Sequence, residues 1–232
     1  MMTSQHDAEG SAQAVAARLI DAGCVTLRAD EPFRLPSGWA SPVYMDCRRL
    51  ISFPTVRREL VARGIERLQA SESLKDVASI AGGEASGIAF AAWMAEERDL
   101  PLQYVRKRGA GTNQVEGVVR KGSKVLLVDD MMAAGASKVA FVSALRGVGA
   151  NVEDAFVIFD YGTFGAEALL ATLGVNTHAL ASWRDILAVA QARNDFGSAA
   201  LDELDEFLSD PSAWSQARGG MGANKSLEKA LS

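Results

Sequence analysis

The chain has 232 residues, 48% of them apolar, enough for one domain with a full core and a small accessory element. A net charge of −5 speaks against nucleic acid as a partner, because its phosphates call for basic surface. No apolar run approaches the roughly 20 residues of a membrane span, and the polar start, Met1 to Gly10, lacks the basic-then-apolar order of a secretion signal, so a cytoplasmic protein is expected.

Val15, Leu19 and Ile20 fall at helical spacing and predict a helix over 12–22. Cys24 to Tyr44 reads as irregular, broken by Pro32, Pro36, Gly38 and Pro42. Cys24 and Cys47 offer neither a disulfide framework nor a metal-ligand spacing and read as buried thiols. His6 and His178 stand alone, so a histidine triad or zinc site has little to build on. Thr55 is placed to cap a second helix that carries Val56, Leu60, Val61, Ile65 and Leu68 on one side. Strand and helix then alternate: strand 77–81, helix 86–97, strand 102–105, a glycine-rich basic segment, and a strand from Val125. Helix 137–148, strand 155–159, helix 166–173 and strand 177–180 complete the series. This alternation predicts an α/β fold, a parallel sheet with helices on both faces and right-handed crossovers. Leu201, Leu204, Phe207 and Leu208 form the apolar stripe of a C-terminal helical extension, and Gly219-Gly220-Met221-Gly222 reads as the start of a flexible tail.

Three stretches carry chemistry. Val125-Leu126-Leu127-Val128, four apolar residues in a row, reads as a strand buried on both faces that delivers Asp129 and Asp130 to its carboxyl end. Open α/β sheets place their ligands there. The small residues Ala133, Ala134, Gly135 and Ala136 follow, and a helix opens at Ser137 with free N–H groups and a positive dipole end. Vicinal hydroxyls are paired donors and a carboxylate is a paired acceptor, so acids beside an anion cradle describe a ribose 5-phosphate site. The second stretch, Ala81 to Ile88, is another strand-to-helix turn. Its Gly82, Gly83 and Gly87 match neither the dinucleotide fingerprint nor a P-loop, and they read as a second anion nest. In the third, Arg106-Lys107-Arg108 runs into Gly109, a cationic loop able to close over a multiply charged leaving group.

Taken together, these residues resemble the type I phosphoribosyltransferases, and within them the orotate phosphoribosyltransferases in their alphaproteobacterial form. Pro32 to Gly38, Ser41 to Arg48, Ile80 to Phe90, Tyr104 to Lys107 and Val115 to Val118 carry the likeness along with the Val125 to Ser137 segment. The resemblance covers roughly 12–214. It implies a single phosphoribosyltransferase domain over 1–216, with a hood from about 12–50, C-terminal helices from about 183–216 and a tail over 217–232. It also implies Mg²⁺-dependent transfer of ribose 5-phosphate from phosphoribosyl pyrophosphate to orotate in pyrimidine synthesis, by a homodimer. Carried over by position, Asp129 and Asp130 hold the ribose hydroxyls, and Ala133 to Ser137 cradle the 5′-phosphate. Gly82, Gly83 and Glu84 border the pyrophosphate, which Arg106 and Lys107 bind from the mobile loop. Phe33, Ser37, Gly38, Tyr44 and Met45 surround orotate. No protein metal ligand is implied, the Mg²⁺ being held mainly through substrate.

The chain departs from the family's pattern in three places. The cationic loop is about three residues short, leaving Arg108 as the cation in place of a further lysine and Ala110 near an aromatic position. Ala133 and Ala134 stand for threonines, and each lost hydroxyl contact to phosphate removes roughly 1.5–3 kcal/mol. Asp160-Tyr161 stands where some members place an arginine for orotate. Two alternatives therefore accompany the leading expectation. One is a paralogue that binds phosphoribosyl pyrophosphate or nucleotide as a regulator, and the other is a phosphoribosyltransferase for another base.

Overall fold

The computed structural model describes residues 2–110 and 113–222, with side chains from 10 to 107 and from 114 to 222. Its centre is a six-stranded sheet: β5 (Val77–Gly83), β6 (Leu102–Ala110), β7 (Asn113–Glu116), β8 (Lys124–Met132), β9 (Asp154–Asp160) and β10 (Asn176–Ser182). The strand order is β10-β9-β8-β5-β6-β7, with every pairing parallel except the β6–β7 hairpin. From β5 the chain moves outward to β6, and from β8 it moves the other way to β9. The crevice between the carboxyl ends of β5 and β8 is therefore the switch point of the sheet, where open α/β folds bind ligands.

The apolar run of β8 explains its central place, since Val125 to Asp130 are all buried. On one face, α1 (Met2–Asp21), α2 (Pro54–Ala70) and α3 (Ser86–Arg98) close a core that includes Leu19, Leu60, Phe90, Leu126 and Phe156. On the other, α4 (Ala136–Gly147) and α5 (Ala166–Thr172) close a second core around Leu127, Phe141, Leu145 and Leu170. After β10 come α6 (Trp183–Arg193), α7 (Ser198–Ser209) and α8 (Pro211–Ala217). The apolar stripe of α7, Leu201, Leu204, Phe207 and Leu208, is buried as its spacing predicts.

Four expectations need correction. The segment 24–44 is not irregular. It folds as two antiparallel ribbons, β1 (Val25–Leu27) on β4 (Val43–Met45) and β2 (Phe33–Arg34) on β3 (Ala40–Ser41), strands too short for a period-two pattern to register. A 3₁₀ turn, Cys47–Ser52, follows β4. Thr55 does not cap α2. Pro54 opens that helix with Phe53 at the N-cap, the place a proline's fixed φ suits. The glycine-rich basic segment is not a free loop, because β6 runs on through Ala110 and turns back as β7. Nor does a free tail begin at 217. The Met221 amide donates to the Gly38 carbonyl at 2.9 Å, and the Met221 carbonyl accepts from Ser215 Oγ at 2.7 Å.

Candidate active site

A cavity of about 550 Å³ opens at the switch point, walled by the carboxyl end of β8, the turn after β5, the first turn of α4 and the hood ribbons. Asp129 and Asp130 are 6% and 7% exposed and both face it. β8 alternates its side chains, yet both of these consecutive acids line the cavity near its carboxyl end. Asp129 Oδ1 accepts from the Asp130 amide at 2.9 Å, and Asp130 Oδ1 accepts from the Met131 amide at 2.9 Å. Burial, then the neighbouring Asp129 carboxylate, pushes the Asp130 carboxyl up to about 6; Ser86 and Lys138 oppose the shift.

Below the acids the chain forms the anion cradle. Gly135 adopts φ +81°, a conformation that costs glycine least, and ends the loop so that α4 starts at Ala136. Ala133, Ala134, Gly135, Ala136 and Ser137 all line the cavity. Among the described residues, none of their backbone N–H groups donates to another protein group. Five unengaged amides at and before the positive end of a 12-residue helix are groups that can hold an anion.

Other expected residues divide sharply. Ser37, Tyr44 and Met45 line the cavity from the hood, and Glu84 and Lys107 from the β5 and β6 ends. Glu84 Oε2 accepts from the Lys107 amide at 2.6 Å, joining these two walls. Gly82 and Gly83 lie behind the wall. A Cβ on Gly82 would come within 2.6 Å of Ile88 Cα and one on Gly83 within 2.5 Å of the Phe141 ring, so the first glycine admits α3 and the second admits α4. Phe33 backs Tyr44 at 5.5 Å between ring centroids, and Gly38 packs against Met221. Arg106 points away, paired with Glu116 at 2.8 Å across the hairpin, because adjacent strand residues face opposite sides. The Arg108 side chain lies outside the described residues.

Several cavity residues escaped the sequence reading. Arg48 lines the cavity on the hood side, its Nε donating to Asp46 Oδ1 at 2.6 Å and its guanidinium to the Tyr44 hydroxyl at 3.1 Å. Tyr161 is buried, which drives its hydroxyl pKa up, and its oxygen accepts from the Met45 amide at 3.1 Å, tying β9 to the hood. Lys138, 5% exposed, lies under the cradle with its ammonium 2.5 Å from Asp129 Oδ2. A cation three residues into a helix carries no mark in sequence that it will fold back.

The family model described as phosphoribosyl transferase domain matches residues 59–163, the stretch holding the sheet core, both glycine-rich turns and the acids. An orotate phosphoribosyltransferase from Sinorhizobium fredii is 41% identical over 215 residues, covering 91% of this chain and 93% of that protein. One from Dinoroseobacter shibae is 43% identical over 210 residues, or 89% and 93% of the two chains. The chain belongs to the orotate phosphoribosyltransferase family. Solved structures agree on the architecture of the family. The orotate phosphoribosyltransferase of Aeropyrum pernix superposes with a TM-score of 0.67 at 32% identity, over 79% of this chain and 99% of that one. UMP synthase of Leishmania donovani superposes with a TM-score of 0.75 at 28% identity, over 87% of this chain and 43% of that one.

Proposed function

We propose that the protein moves ribose 5-phosphate from phosphoribosyl pyrophosphate to orotate, forming orotidine 5′-monophosphate and pyrophosphate, as a step in pyrimidine synthesis. The observation that carries this reading is the junction of Asp130 with the five unengaged amides of Ala133 to Ser137 in one cavity. Asp130 accepts hydrogen bonds from the ribose hydroxyls, while the amides and the dipole of α4 hold the 5′-phosphate. Lys107 and Glu84 flank the pyrophosphate; Ser37, Tyr44 and Arg48 flank the base, with the guanidinium available to the orotate carboxylate. As the C1–pyrophosphate bond lengthens, positive charge grows on the ribose and negative charge on the leaving group. The protein contributes position and electrostatics rather than a covalent nucleophile.

No group of three or more His, Cys, Asp or Glu gathers among the described residues to cage a metal ion. A Mg²⁺ would then be held mainly through the substrate, beside the Glu84 carboxylate on the cavity wall. The ion's charge would offset the negative charge that grows on the leaving group. A homodimer is the working unit in this reading. Val118, 86% exposed beyond the open edge of β7, and the exposed Leu102 are apolar surface that a second copy would cover. No helix of the described residues is long and apolar enough to cross a membrane, and two buried free thiols suit the reducing cytoplasm.

Purified protein given Mg²⁺, orotate and phosphoribosyl pyrophosphate is expected to release orotidine monophosphate, followed by chromatography beside uracil, adenine and hypoxanthine as competing bases. Product from another base but not from orotate overturns the specificity. Binding of phosphoribosyl pyrophosphate without product from any base favours the regulator.

A further inference from the structure

Lys138 is the third residue of α4, and its side chain folds back beneath the cradle instead of reaching solvent. Its Nζ meets Asp129 Oδ2 and the Met131 carbonyl oxygen, both at 2.5 Å. The second contact closes a ring, because Met131 precedes the cradle loop and Lys138 follows it, so one ammonium pins both ends. The loop between them carries three alanines and a glycine, which have no polar side-chain group of their own to fix its shape.

Asp129 is turned inward by the same arrangement. A Cβ on Gly87 would stand 2.6 Å from Asp129 Oδ1, and one on Gly83 3.2 Å from Oδ2, so the carboxylate fills the space these glycines leave. One oxygen takes the Lys138 ammonium and the other the Asp130 amide. Two adjacent buried carboxylates repel, and removing the cation from such a group leaves an uncompensated buried charge. The other charged or titratable groups around the pair are Asp46, Cys47 and Arg48 of the 3₁₀ turn, Glu84 before α3, Lys107 of β6 and Asp160 at the end of β9. Among the described residues, none of them hydrogen-bonds to Asp129.

We propose that Lys138 is a positioning residue of the sugar-phosphate site: its ammonium neutralises Asp129 and closes the cradle loop, which leaves Asp130 as the acid presented to the ribose. This rests on the functional reading above. It assigns the paired acids different jobs, one structural and one ligand-binding.

The test is phosphoribosyl pyrophosphate affinity by calorimetry from pH 5.5 to 8.5, with thermal melts over the same range. Lys138→Met is expected to weaken affinity about tenfold and to move its acid limb upward, because Asp129 then repels Asp130 unopposed. Combining it with Asp129→Asn should return the limb to its wild-type position. If Lys138→Met alone does not fold, a folded double variant with the wild-type limb supports the proposal, and a double variant that does not fold overturns it. An affinity loss equal at every pH and unrelieved by Asp129→Asn makes Lys138 a direct phosphate ligand and overturns it. So does unchanged affinity. A wild type that binds no phosphoribosyl pyrophosphate overturns the functional reading itself, an outcome seen before any variant is made.

Discussion

Asp130 shows how a buried acid that faces a cavity is set against the stability of its own fold. In the unfolded chain this carboxyl ionises near 3.8; in the folded protein burial holds it up to about 6. Its protonated form therefore favours folding. That contribution is whole below pH 4 and is lost as pH rises through 6. Asp130→Asn, which removes the charge, should raise the melting temperature at pH 7.5, on the order of a few degrees for 1–2 kcal/mol in a domain of this size. The gain should shrink toward pH 4. Phosphoribosyl pyrophosphate affinity should fall about tenfold or more at pH 7.5, since a charge-assisted contact is lost. Melts that drop equally at both pH values would make Asp130 a structural acid. Its position was legible in sequence because a strand buried on both faces is apolar along its run, so the first charges after Val128 stand near its carboxyl end, although β8 runs on to Met132. Lys138 was not legible, because lysine at a helix start reads as a solvated face and only the tertiary fold brings it under the strand.

Among the elements, the turn from β5 into α3 works by being bare. Gly87 sits where a Cβ would meet Asp129 Oδ1 at 2.6 Å and the Val128 carbonyl at 2.8 Å. Backbone cannot yield as a side-chain tip can. Gly87→Ala should cost about 1–3 kcal/mol and disturb Asp129 as well, so that stability and phosphoribosyl pyrophosphate affinity fall together. A denaturation midpoint and affinity both unchanged would show that α3 can shift without consequence. The glycines of this turn read in sequence as an anion nest, and Glu84 does face the cavity, but Gly82 and Gly83 serve packing. Glycine is ambiguous in that way: the same missing side chain admits an anion or a neighbouring helix, and only the neighbour's position decides. The cationic run divides for a related cause. Alternation in β6 sends Lys107 toward the cavity and Arg106 toward Glu116, a split invisible until the hairpin register is known.

Across the whole molecule, the hood is braced from α8, well beyond the sheet in sequence. Ser215 Oγ, fully buried, accepts from the Ala40 amide at 2.9 Å and donates to the Met221 carbonyl at 2.7 Å. Aromatic contacts continue the link through Trp39, Phe164, Phe207 and Trp214. Ser215→Ala leaves the Ala40 amide without its partner and should cost about 1–3 kcal/mol. It should raise KM for orotate more than KM for phosphoribosyl pyrophosphate, because β3 belongs to the hood and not to the cradle. Equal changes in both constants would argue that the hood and cradle move as one body. The order of strands and helices was readable from periodicity, but this brace was not, since a serine after a tryptophan gives no hint of a partner 175 residues upstream.

That long separation has a bearing on synthesis. A ribosome makes the hood ribbons first, then the sheet with its acids, and the serine that braces the hood after both. The sheet and its acids can therefore take shape on the emerging chain while the hood still lacks its brace.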